Sequence, residues 1–182
     1  INSYLITKGP SIPRVRENAS EFGHCSRVKK VFKDVSFPFF RKQTDGTLHG
    51  RMMRLFTAIK DCDTVSERGR RRVDLGLQTL EGKQLLTSFA FTSLASPILK
   101  GIYDTTTQSY HIESIYEGLQ FPQGATHLEL TFGVVLFDFT TLTASLCACP
   151  VLRVAQHEVL SNHTFAPTQL PEPNETMIAV VG

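Results

Sequence analysis

Tryptophan is missing from the 182 residues, so thirteen phenylalanines, with Leu, Ile and Val, must supply most of the large apolar volume of a core. No apolar run approaches the ~20 residues that a membrane helix needs, and the opening INSYLITKGP is too poor in apolar residues for a signal peptide. No membrane span or leader is expected in the given chain, which suits a cytoplasmic protein or one exported in assembled form. It starts at Ile1 rather than Met, which leaves a processed or tagged N-terminus open. Glycine loops that cradle phosphates and the dinucleotide-binding fingerprint are absent. The acids are scattered, so no pair can be nominated for general acid–base work. No catalytic, cofactor or metal residue is assigned, no small-molecule substrate is evident, and an enzyme is not expected.

Positive charge is scarce in one part of the chain and crowded in the other. Residues 73–182 hold three Lys and Arg against ten acids, a net −7, whereas residues 1–72 hold sixteen against seven, a net +9. Either the basic arm docks on the acidic remainder of its own or a neighbouring copy, or it meets an external polyanion such as nucleic acid or anionic lipid. At 41% apolar residues the chain can bury a real core. Its length fits about one domain of ~100–200 residues.

Gly9, Pro10 and Pro13 predict an extended lead-in over residues 1–17. A helix follows, capped by Asn18 or Ser20, with Phe22, Cys25, Val28, Val31, Phe32 and Val35 on one stripe and an end at Ser36 to Pro38. Asp45-Gly46 signals a turn, after which Leu48, Met52, Leu55, Phe56 and Ile59 predict a second amphipathic helix and hence a helical hairpin. The run Glu67 to Arg72 reads as a solvated loop. From residue 73 the period changes. After about one helical turn within Thr79 to Leu86, short strands are expected at Phe89 to Thr92, Ile98 to Tyr103, Tyr110 to Ile115 and His127 to Phe139, the last alternating Leu128, Leu130, Phe132, Val134 and Leu136 with polar or small residues. Thr140-Thr141 turns the chain into Leu142 to Val154, with Pro150 at an edge or bulge. The final segment Thr176 to Val181 is an apolar strand that stops abruptly, which predicts either a central strand completed by neighbours or a polypeptide that continues.

Cys25, Cys62, Cys147 and Cys149 permit two disulfides, but a body of this size does not need them, and buried thiols are expected. Cys147, Cys149, His157 and His163 offer two thiolates and two imidazoles, yet their spacing is wrong for a common zinc finger. His24 beside Cys25 lacks an orienting carboxylate for thiol catalysis. The sequons at Asn18, Asn162 and Asn174 matter only in a secretory compartment. The candidate polyanion or interface contacts are Lys29, Lys30, Lys33, Arg68, Arg70, Arg71 and Arg72, although no aromatic residues interleave with the arginines for stacking. The candidate subunit-contact strand comprises Met177, Ile178, Val180 and Val181.

Three segments, Arg16 to Gly23, Asp63 to Val73 and Phe121 to His127, make the chain resemble a family of uncharacterised proteins from Bacteroidota, in which a basic helical N-terminal region precedes a β-rich portion. The resemblance implies the same order here and a chain that continues past the equivalent of Val181. It implies no activity or ligand. The expected fold is α+β: a basic helical hairpin over residues 1–72 and an antiparallel β-sandwich or jelly-roll-like body over 73–182, either separate or as one continuous domain. The expected role is that of a bacterial structural or interaction protein, self-associating as a homo-oligomer or filament subunit. The alternative is a nucleic-acid-binding protein using the basic arm.

Overall fold

The structure, a computed structural model, describes residues 13–42, 45–92, 101–115, 123–156, 158, 160–169 and 171–181. Helices occupy the first half and antiparallel strands the second, a mixed α+β arrangement. The chain divides into two compact units, one drawn from Ile1–Lys30 and His49–Phe89, the other from Val31–Leu48 and Ala90–Gly182. This division differs from the one expected after Arg72. Residues 73–87 are still helical, and the preceding basic loop is bonded to the helices of the first unit.

In the helical unit, α1 (Pro13–Val35) starts earlier than the sequence suggests, because proline is well tolerated in a first helical turn, where its missing N–H costs nothing. Residues 13–17 are therefore helical rather than extended, and Asn18 lies inside the helix rather than capping it. The remainder of the expected lead-in lies outside the described residues. Cys25 and Val28 of the anticipated stripe are buried, but Phe22 is 62% exposed. α1 ends at Val35 as expected, and Ser36 leads into a single turn, α2 (Phe37–Phe40). α3 (Leu48–Asp61) buries Met52, Leu55, Phe56 and Ile59, the stripe read from its period. It meets α1 where the Cys25 thiol donates to the Phe56 carbonyl at 3.5 Å. α4 (Val73–Gly76) crosses so close that a Cβ on Gly76 would stand 1.9 Å from the Ile59 carbonyl oxygen. Only glycine permits that approach. α5 (Leu80–Thr87) is capped by the Thr79 hydroxyl, which accepts from the Gly82 N–H at 3.0 Å.

Among the described residues of the β unit, eight strands form three small antiparallel sheets. β1 (Gly101–Asp104), β2 (Ser109–Ile115) and β7 (Leu160–Phe165) make one, and β3 (His127–Leu130) with β6 (Leu152–Ala155) another. β4 (Phe132–Asp138) is central in the third, between β5 (Thr143–Ala148) and β8 (Glu175–Val181). The single strand expected over 127–139 is therefore two, broken at Thr131, because its halves pair with different partners. The expected alternation does not survive in β4, where every residue from Phe132 to Phe137 is buried. Phe132, Val134 and Leu136 join a cluster with Ile112, Leu130, Cys149, Val154 and Phe165 that all three sheets share. On the opposite face Phe39 closes over Gly133. A strand covered on both faces reads as a continuous apolar run.

Phe89 to Thr92, expected as a strand, is irregular. Phe91 instead stacks with Phe32 and Phe40, at centroid distances of 6.2 and 5.4 Å. Of the strand expected at Ile98 to Tyr103, the first three residues lie outside the described ones and the rest is β1. Pro150 falls between β5 and β6. One turn design recurs in two hairpins. Asp104 accepts from the amides of Thr106 and Thr107 and from the Thr107 hydroxyl, and Asp138 does the same with Thr140 and Thr141. Each loop then passes a residue of positive φ, Gln108 at 57° and Leu142 at 56°.

Candidate functional site

The arginine run is held from behind by buried acids. Asp63, 2% exposed, accepts at Oδ1 from the amides of Val65 and Ser66 and at Oδ2 from that of Arg72, each at 3.0 Å. Glu21 on α1, 5% exposed, accepts from the Gly69 amide at 2.6 Å, and His24 Nε2 accepts from that of Val73 at 3.1 Å. Between these anchors the Arg70 amide donates to the Glu67 carbonyl, closing a turn in which Gly69 has φ +90°. A side chain at Gly69 would be strained by that φ and would also meet Glu17 at 2.8 Å.

Glu21 is itself paired with Lys60, also buried, at 2.7 Å, and Lys60 reaches Asp61 at 2.5 Å. Burial pushes the Glu21 carboxyl up, but the Lys60 ammonium and the Gly69 amide outweigh it and hold the group below its ordinary value. Burial likewise opposes the charge on Lys60, and Asp61 and Glu21 raise it above the usual lysine value. For Asp63, burial is outweighed by the amides of Ser66, Arg72 and Val65. For His24, burial and then the nearby Arg72 lower the imidazole, which favours the neutral ring that the Val73 N–H requires.

Arg68, Arg70 and Arg72 are exposed and Arg71 half-buried. Arg68 lies 3.6 Å from Glu17 and donates to Asn18 at 3.0 Å, Arg71 approaches Asp61 at 3.4 Å, and Arg72 bonds Asp74 at 2.9 Å. These acids belong to the helical unit itself. Lys29 is not part of a basic face: it is buried, with Nζ 3.3 Å from His49 Nδ1. Lys30 is exposed, and Lys33 is half-buried in the other unit. A cleft of about 470 Å³ opens between α1 and α3, lined by Asn18, Ala19, Phe22, Cys25, Thr57 and the Glu21–Lys60 pair, and the loop is bonded to two of these residues, Asn18 and Glu21. Sequence reasoning placed Phe22 inward and missed Glu21, His24 and Asp63 as supports. The one local signal was Asp63 itself, whose side chain accepts from the Val65 amide two residues on, the spacing of an Asx turn.

The second candidate surface is the edge of β8. Ile178 and Val180 are buried, Met177 is half-buried against the shared cluster, and Val181 is 43% exposed. Among the described residues β8 is an edge strand paired with β4, not a central one. The Cys149 N–H donates to the Phe132 carbonyl, so Phe132, Val134 and Leu136 direct their backbone groups towards β5 and the intervening residues towards β8. Thr176, Ile178 and Val180 then bond inward, and Glu175, Met177, Ala179 and Val181 point outward. The Glu175 amide is taken by the Glu172 carbonyl at 2.9 Å. Those of Met177, Ala179 and Val181 find no backbone partner among the described residues.

All four cysteines are free and buried. Burial raises the Cys25 thiol above its ordinary value, and the bond of His24 to Val73 turns that ring to structural work. Among the described residues no three His, Cys, Asp or Glu are grouped to hold a metal, and His157 lies outside them. Among the described residues no helix is long and apolar enough to cross a membrane. No family model, curated protein or solved structure is significantly similar to the chain.

Proposed function

We propose that this is a non-enzymatic structural or interaction protein whose copies associate into oligomers or filaments, with a sandwich-like β body extended between copies at β8. The outward row of amides on Met177, Ala179 and Val181, which have no backbone partner among the described residues, carries this reading. Natural proteins blunt exposed edges with lysine, proline or bulges. β8 has none of these, and its one charge, Glu175, lies at the start. Pairing β8 with β8 about a two-fold closes a dimer, while pairing it with the uncharged outer edge of β5 in the next copy continues as a filament.

Charge supports contact between copies as well. The helical unit holds fourteen Lys and Arg against seven acids, and the β unit five against ten, so +7 of one copy meets −5 of the next. Light scattering coupled to sizing, at tens of micromolar protein and physiological salt, tests the reading. Ala179→Pro removes an outward N–H that β4 does not use, so it should abolish association and leave the melting temperature in place. A parent protein that runs as a single species near 20.3 kDa at every concentration, with no filaments in negative-stain images, overturns the proposal.

A further inference from the structure

We infer that the cleft between α1 and α3, with the arginine loop bonded to its rim residues Asn18 and Glu21, binds single-stranded nucleic acid, with Phe22 stacking against a base and Arg68 and Arg70 meeting the phosphates. This site lies wholly within the helical unit and does not depend on association through β8.

Phe22 is the observation that sets the class of ligand. A phenylalanine 62% exposed on a helix whose neighbouring Cys25 and Val28 are buried has its ring face available, and it borders a cleft large enough for a base. Asn18, one helical turn earlier on the same face, lines the same cleft and accepts from Arg68, so the ring and the first arginine share one rim. Arg70 is exposed and has no ion pair among the described residues. Non-specific recognition of single strands needs this combination, a flat aromatic surface beside cations, because every base has a π-face and every nucleotide a phosphate. The net +7 of the helical unit attracts a polyanion from a distance.

Preorganisation adds to charge. The loop's outward arginines are presented by a backbone whose amides at Val65, Ser66, Gly69, Arg72 and Val73 are already bonded to Asp63, Glu21 and His24. Less conformational freedom is then lost on binding. A double helix fits less well, because its bases are stacked on each other and leave Phe22 no partner.

Fluorescence anisotropy of the full chain with labelled oligo(dT) or oligo(U) of about a dozen nucleotides tests the inference, at about 50 mM salt and then across a salt series. Phe22→Leu keeps the apolar area without the ring and should weaken binding roughly 5- to 100-fold, while Phe22→Tyr retains it. Heparin, a polyanion without bases, should bind parent and Phe22→Leu alike. Arg70→Gln should lower the slope of log affinity against log salt by about 0.7. Gly69→Ala, which changes no charge, should weaken both ligands by disturbing the loop. An unchanged melting temperature for Phe22→Leu keeps its result interpretable. No anisotropy change at low salt overturns the inference, as does Phe22→Leu binding oligo(dT) like the parent. Binding to phosphatidylserine vesicles but not to either oligonucleotide overturns it in favour of a membrane surface.

Discussion

Glu21, Lys29, Lys60 and Asp63 are buried in the helical unit, whereas the buried polar side chains of the β unit, among the described residues, are the hydroxyls of Ser36 and Ser109. The acids of the two recurrent hairpins, Asp104 and Asp138, perform the same task as Asp63, accepting from backbone amides two and three residues on, but they do it at the surface. Taking charge out of water is costly, and a buried ion pair returns little net stability compared with apolar packing. What it supplies is position. In the helical unit the internal charges hold one irregular loop in one conformation, while the described core of the β unit is apolar and its acids serve exposed turns or, as Glu129 does with Lys42, an exposed ion pair.

Phe132→Asp should break the β side of this contrast most severely. The ring is fully buried, stacks with Tyr110 at 5.5 Å and joins the cluster shared by all three sheets. Losing it and burying a carboxylate there should cost about 4 kcal/mol or more, read as a large fall in melting temperature. A melt like that of the parent would show that the face is misassigned. On the helical side, Lys60→Met leaves Glu21 buried without its cation and should cost about 3 kcal/mol. Adding Glu21→Gln in the same chain should recover part of that loss. A single substitution costing less than about 1 kcal/mol would mean that water already compensates the pair.

The smallest effect separates the units by pH. His24 has a folded-state value below that of the free side chain, so the unfolded chain takes up the proton first. The stabilisation is complete above ~6.5 and is lost as pH falls from there through the folded value, because a protonated Nε2 cannot accept from Val73. Asp104 and Asp138 are also lowered, chiefly by the Thr106 amide and the Thr141 hydroxyl, and their contribution is lost only in the more acidic carboxylate range. Protection of the amides of residues 63–73, taken relative to the intrinsic exchange rate at each pH, should therefore fall as pH drops from about 7 to 5.5 while that of β4 does not, and His24→Gln should remove the difference. An equal loss of protection in both units would contradict the assignment.

Much of this was visible in residue order. The 3.6-residue period placed α3 and its buried face, Ser36 and the following proline placed the end of α1, and the Thr-rich turn at 140–141 placed the β4–β5 hairpin. Charge counts alone predicted opposite fields, and the apolar stretch from Thr176 predicted β8. Local patterns carry that information because period, caps and turns involve neighbours within about four residues. The remainder depended on contacts between residues far apart in sequence. Phe22 falls on the periodic stripe of α1 yet lies open, since no element among the described residues covers that turn, and it shares a cleft with Asn18, the partner of Arg68, only because Glu21 and Asn18 draw a loop some fifty residues away onto the helix. Likewise Leu128 to Leu136 alternates as one strand would, but β3 and β4 take different partners and β4 is covered on both faces. Period identifies which side chains need burial. Which of them are buried, and which loop is drawn onto which helix, is settled by the long-range packing that pairs the elements.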